Sequence, residues 1–164
     1  MAPRLPDRYT AHVRLGRDGD LDEWLATDTA LERPVLIRVL DQEADRERRA
    51  GYVAAVRAAA SAHHPNLSEV YAVGTEQHPY AVLEWSGGVS IADRLRAGDA
   101  LDAEEFGRVA PGLASGLASL HTAGAVHGAI DPSAVAFGAD QPAKLGGFGR
   151  SPASSSDAAG DTAA

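Results

Sequence analysis

The strongest constraint on the fold of this chain is the order of its short periodic segments. Three strand-like runs, one helix and two more strand-like runs all fall before residue 87. Tyr9–Leu15 alternates polar and apolar residues, Gly16–Asp20 reads as a turn, and Glu23–Thr27 and Pro34–Leu40 come next as strands. The charged stretch Asp41–Arg49 opens a helix expected through about Ser61, with Tyr52, Val53, Val56 and Ala60 forming an apolar stripe. His64-Pro65-Asn66 ends it, because the residue before a proline is pushed out of the α region. Leu67–Gly74 and Tyr80–Trp85 are two further strands with a hairpin-like connection at Thr75–Pro79.

Gly87-Gly88 breaks the strand pattern, and helices dominate the chain beyond it. Ile91–Ala97 is expected to be a short helix capped by Ser90 or by the preceding turn. Ala103–Ala123 is a longer one, with Phe106, Val109, Leu113, Leu117 and Leu120 on one side. Pro111, Gly112 and Gly116 weaken it, at ~1 kcal/mol per glycine and up to ~3 for an interior proline. Short strand-like pieces at Ala125–Val126, Val135–Phe137 and Ala143–Leu145 come after this helix. From Ser151 the chain offers almost nothing to bury, and disorder is expected. Strands first and helices later make an α+β arrangement with two lobes.

Composition narrows the function classes. At 164 residues the chain can bury a core without disulfides, and it has no cysteine for a thiolate zinc site or nucleophile. A net charge of −8 disfavours nucleic acid as the main partner. No apolar run is long enough to enter a membrane directly and no signal peptide opens the sequence, so a cytoplasmic setting is expected. Lys144 is the only lysine and Asn66 the only asparagine.

Six segments carry a resemblance in order and spacing. Leu15-Gly16-Arg17-Asp18-Gly19-Asp20-Leu21-Asp22-Glu23-Trp24-Leu25-Ala26-Thr27-Asp28 resembles the glycine-rich loop and second strand of bacterial serine/threonine protein kinases, a group abundant in actinobacteria. Val35–Leu40 is similar to the strand bearing the kinase lysine, His64–Gly74 to the helix-to-strand junction, and Pro79–Trp85 to the fifth strand and hinge. His121–Ser133 resembles the catalytic loop and Lys144–Gly149 the metal-binding segment. The resemblance implies a protein-kinase-like α+β fold: a five-stranded antiparallel small lobe with one helix, and a partial helical large lobe. The expected organisation is a flexible leader over 1–8, the small lobe over 9–86, the partial large lobe over 87–150 and a disordered tail over 151–164.

The same resemblance implies that the positions carrying chemistry have changed. Phosphoryl transfer needs a lysine on the phosphates, a glutamate to hold it, metal ligands and a base. Here Arg38 takes the lysine position and Ala55 the glutamate position, so Arg38 is expected to lack its partner. Ala129 takes the base position, Asp131 the loop lysine, Ala134 the metal-binding asparagine and Gly147 the metal-binding aspartate. Gly16 is retained, whereas Asp18 and Leu21 stand at the other two loop glycines. Glu23 and Leu36 crowd the adenine position, beside the vestigial hinge residues Leu83, Glu84 and Trp85. These departures lead to the expectation of a pseudokinase: not an enzyme, no metal, no cofactor, and a protein-binding or regulatory role. Two alternatives stand beside it. One is a degraded kinase that binds ATP without magnesium or transfers phosphate feebly, and the other a remnant without selected activity.

By the same resemblance the large lobe is expected to be incomplete, and the 103–123 helix is then expected to have an uncovered face. Another protein, or a second copy, is expected to cover it. Simpler readings accompany other features. The six histidines show no metal-ligand pattern, Trp85 reads as packing, Glu43–Arg49 as a solvated helix start, and Ser154–Ser156 as part of a linker tail.

Overall fold

A computed structural model describes residues 3, 5–75, 78–138 and 142–150; the tail expected to be disordered lies outside them. Five strands form the larger sheet, in the order β1-β2-β3-β5-β4. They are β1 (Tyr9–Asp18), β2 (Leu21–Asp28), β3 (Arg33–Leu40), β4 (Val70–Gly74) and β5 (Tyr80–Glu84), and every neighbouring pair is antiparallel. Between β3 and β4 runs α1 (Arg46–Ala59), whose N-cap Asp45 accepts a hydrogen bond from the Arg48 backbone N–H. A smaller sheet of β6 (Val89–Ser90), β7 (Val135–Phe137) and β8 (Lys144–Leu145) is accompanied by α2 (Ile91–Arg96), α3 (Ala103–Thr122) and a 3-10 turn at Pro132–Ala134. Ser90 caps α2 in a reciprocal box with Asp93. The fold is the protein-kinase-like α+β arrangement that the resemblance implies.

Several boundaries differ for local reasons. The expected turn at Gly16–Asp20 shrinks to its tip, because β1 stays paired through Asp18 opposite Leu21 and Gly19 supplies the positive φ of 60°. The strand expected from Leu67 begins at Val70. Leu67 makes an isolated parallel bridge to Leu145, and the Leu145 N–H donates to the Asn66 carbonyl at 2.8 Å. Ala125–Val126 is not a strand, and Val126 is 78% exposed. At the leader's end, Arg8 donates twice to Asp28 at 2.8 Å, while Leu5 packs on the outer face of the large sheet.

One apolar core joins the inner face of that sheet to the helical half. It includes Leu21, Leu40, Tyr52, Val56 and Leu83 together with Leu120, Val135, Leu145 and Phe148. A second cluster, with Trp24, Val35, Ile37 and Val82, occupies the opposite sheet face. The glycines of α3 serve packing rather than merely weakening the helix. A Cβ at Gly112 would sit 2.8 Å from the Asn66 amide, and one at Gly116 would lie 3.3 Å from the Asn66 carbonyl oxygen. Small residues there let the segment after α1 lie against α3, where His64 Nε2 meets Ser115 Oγ at 3.1 Å.

Candidate functional site

Between the two sheets lies a cleft of about 410 Å³. The residues that the resemblance assigns to it divide into two groups. Asp18, Glu23, Leu36, Leu83, Glu84 and Trp85 line it, as do Arg38, Ala134 and Gly147. Gly16 lies in β1 opposite Glu23 and is not among the lining residues. Leu21 is fully buried in the main core instead of reaching the cleft. Its apolar side chain obeys the inward register of β2, opposite Leu40. Ala55 is half-buried on α1, and Ala129 and Asp131 lie off the cleft wall.

Arg38 does have a partner, contrary to the sequence expectation, and it comes from the sheet rather than from the helix. Glu23 stands directly opposite Arg38 in the β2–β3 register, so both side chains share one face. Arg38 Nε donates to Glu23 Oε1 at 2.7 Å, and Nη2 lies 2.6 Å from the same oxygen. The carboxylate that the sequence sets against a purine is thereby paired. Tyr52 on α1 donates its hydroxyl to the Arg38 carbonyl at 3.1 Å. The lone lysine is equally committed: Lys144 Nζ donates to Glu84 Oε2 at 2.8 Å, linking β8 to the end of β5 across the cleft.

At the rim sits Arg150, to which no sequence motif points. Its Nη2 donates to Asp18 Oδ1 at 2.9 Å and to Asp131 Oδ2 at 2.8 Å, its Nη1 donates to Asp131 Oδ1 at 3.0 Å, and its Nε faces Asp18 Oδ2. Burial pushes the Asp131 carboxyl up, but hydrogen bonds from Arg150 and Ser133 outweigh it and hold the group at about 2. Close by, His127 is bonded through Nε2 to the Gly146 carbonyl at 2.6 Å, and its ring centroid lies 5.4 Å from that of Phe148. Burial pushes its pKa below the ordinary imidazole range despite that hydrogen bond, and the charges of Arg150 and Arg38 push the same way. A neutral ring with its proton on Nε2 satisfies the Gly146 carbonyl.

In the cleft Arg38 and Lys144 each hold a carboxylate, Asp18 is bound by Arg150, and Ala134 and Gly147 bring no side-chain donor atom for a metal. Among the described residues no group of three or more His, Asp or Glu could hold a metal ion.

With the fold and cleft established, comparison with known proteins assigns the class. The family model described as protein tyrosine and serine/threonine kinase matches residues 14–162, and the chain belongs to that family. It is 31% identical over 153 residues to a probable serine/threonine-protein kinase of Streptomyces coelicolor, covering 89% of this chain and 23% of the relative. It is 27% identical over 148 residues to the serine/threonine-protein kinase PknL of Mycobacterium tuberculosis, covering 88% of this chain and 37% of the relative. A third relative, the serine/threonine-protein kinase PrkC of Bacillus subtilis, is 29% identical over 132 residues, covering 79% and 20%. The chain thus spans well under half the length of these relatives. The expectation that it is not an enzyme is corrected by these matches: the family is enzymatic and the relatives are named as protein kinases. Changed residues at single positions do not remove a chain from an enzymatic class. No helix among the described residues is long and apolar enough to cross a membrane.

Proposed function

We propose that this kinase-family domain acts as a protein-binding or regulatory module in a cytoplasmic setting. The observation that carries the reading is apolar exposure on α3 and the loop after it. Phe106 is 61% exposed, Val126 78% and Ile130 54%. Val109, Leu113 and Leu117 pack partly against the main core, so the surface offered is narrower than a whole helix face. Side chains of this size left in water favour contact with another protein, at ~25 cal/mol per Å2 of apolar area covered. The reading extends to the cleft, which takes no metal–nucleotide as a cofactor, and the lack of a side-chain metal ligand at Ala134 and Gly147 supports that part of it. This reading concerns what the domain binds and leaves its membership of an enzymatic family as stated.

Two measurements test it. Light scattering after size exclusion, with an apolar fluorescent dye as probe, should show association or dye binding that Phe106→Asp with Val126→Asp abolishes. A monomer that binds no dye would remove the docking surface. Magnesium-ATP, or ATP alone, should leave the melting temperature unchanged up to about 1 mM; saturable sub-millimolar binding would overturn the cleft reading.

A further inference from the structure

The contacts of Arg150 go beyond packing, because they join distant parts of the chain at the cleft rim. Asp18 ends β1, 132 residues before Arg150. Asp131 is fixed independently: its Oδ1 accepts from the Ser133 N–H at 2.8 Å, the Ser133 hydroxyl at 2.6 Å and the Ala134 N–H at 3.1 Å. One guanidinium therefore spans a carboxylate on the large sheet and another, rigidly held, on the helical half. The Arg150 side chain is only 10% exposed, whereas Asp18 and Asp131 are 28% and 35% exposed, so the contact is partly buried yet within reach of dissolved ions. The neighbouring residue repeats the link. Arg48 on α1 donates to Asp20 at 2.6 and 2.8 Å and to the Gly149 carbonyl at 2.9 Å. The β1–β2 hairpin is thus tied down from both sides of its tip.

Gly147 makes the arrangement sterically possible. Its φ is +83°, and a Cβ there would lie 3.0 Å from Arg150 Cδ and 3.4 Å from the Ala134 Cβ. A side chain at this position would both strain the backbone and displace the arginine.

We propose that Arg150 is a built-in clasp: by filling the site formed by Asp18 and Asp131 it holds the β1–β2 hairpin over the cleft, and the cleft opens only when that contact breaks. The clasp regulates access and is independent of the docking surface on α3.

The absence of cysteine provides the test. Ala136 lines the cleft, and Ala136→Cys places a single thiol there whose rate of reaction with a small disulfide reagent reports opening. In this background Arg150→Ala, and separately Asp18→Asn, should raise the rate about tenfold or more, Arg150→Lys less. Arg14→Ala, which removes an exposed pair to Asp22 on the same hairpin, should leave it unchanged. Raising salt from about 0.05 to 0.5 M should accelerate labelling of A136C itself, which covers the case in which the substituted proteins fail to fold. Rates within about twofold of A136C in every folded variant, with no salt response, would overturn the clasp.

Discussion

Arg38 in the cleft and Arg150 at its rim are both bound to carboxylates and do different work. Arg38 and Glu23 face each other on adjacent strands, where the β2–β3 ladder sets their separation before either side chain chooses a rotamer. Arg150 reaches Asp18 and Asp131 from a segment that no strand pairing fixes. The first pair is a property of one sheet; the second is a property of how two halves of the molecule meet. Both side chains are about equally buried, at 9% and 10% exposed, and each has one buried guanidinium nitrogen without a hydrogen-bond partner, so the difference lies in what anchors them. A contact between separately anchored elements can be lost without unfolding either of them.

Breaking the strand-held pair should have the largest effect. Arg38→Ala strands a partly buried carboxylate and should lower unfolding free energy by about 3 kcal/mol in urea titration. Exchanging the two residues, as Glu23→Arg with Arg38→Glu, should recover more than half of that loss, because the register holds either arrangement. No recovery would mean that Arg38 acts through packing alone.

A smaller effect should distinguish the rim contact by pH. Asp131 in the folded chain titrates at about 2, below the ~3.9 of an unfolded aspartate. Its contribution is therefore complete above about pH 4 and is lost as pH falls through about 2. Asp131→Asn should flatten that part of the melting temperature–pH curve. A curve parallel to that of the unsubstituted chain would show that the carboxylate is not engaged in solution.

The smallest expected change is at His127. Its NMR titration midpoint should lie below 6.5, so the stability present above that pH declines as acid first protonates the unfolded imidazole. Arg150→Ala removes one of the positive neighbours and should move the midpoint upward. An unmoved midpoint would separate His127 electrically from the clasp.

Much of this architecture is legible from local pattern. The five strands, α1 and α3 each announce themselves through periodicity and caps, and the cleft positions of Asp18, Glu23, Leu36, Arg38 and Glu84 come from aligned segments. Registers and long-range partners are not legible in the same way. Leu21 reads as a loop residue because the neighbouring glycines suggest a wide turn, whereas strand pairing through Asp18 turns it inward. Glu23 reads as an obstruction and not as a partner, since only the β2–β3 register sets it across from Arg38. Arg150 comes just after the last matched motif and has nothing in its local sequence that points to Asp18. Helix propensity alone makes Gly112 and Gly116 weak points of α3, and their use as contact points for His64 and Asn66 is a tertiary fact.

The shared core has a consequence for how the molecule melts. Leu120, Leu145 and Phe148 form one wall of the space that also holds Leu21, Tyr52 and Val56. The bridge from Leu67 to Leu145 and the hydrogen bond from Asn66 Nδ2 to the Ala143 carbonyl, at 2.8 Å, stitch the same boundary. The large sheet keeps the outer cluster to itself but shares its inner one, and a fragment cut after β5 would uncover part of the face that carries Leu21 and Tyr52. Unfolding should be one cooperative event, with calorimetric and van't Hoff enthalpies in agreement, in a molecule whose shape suggests two.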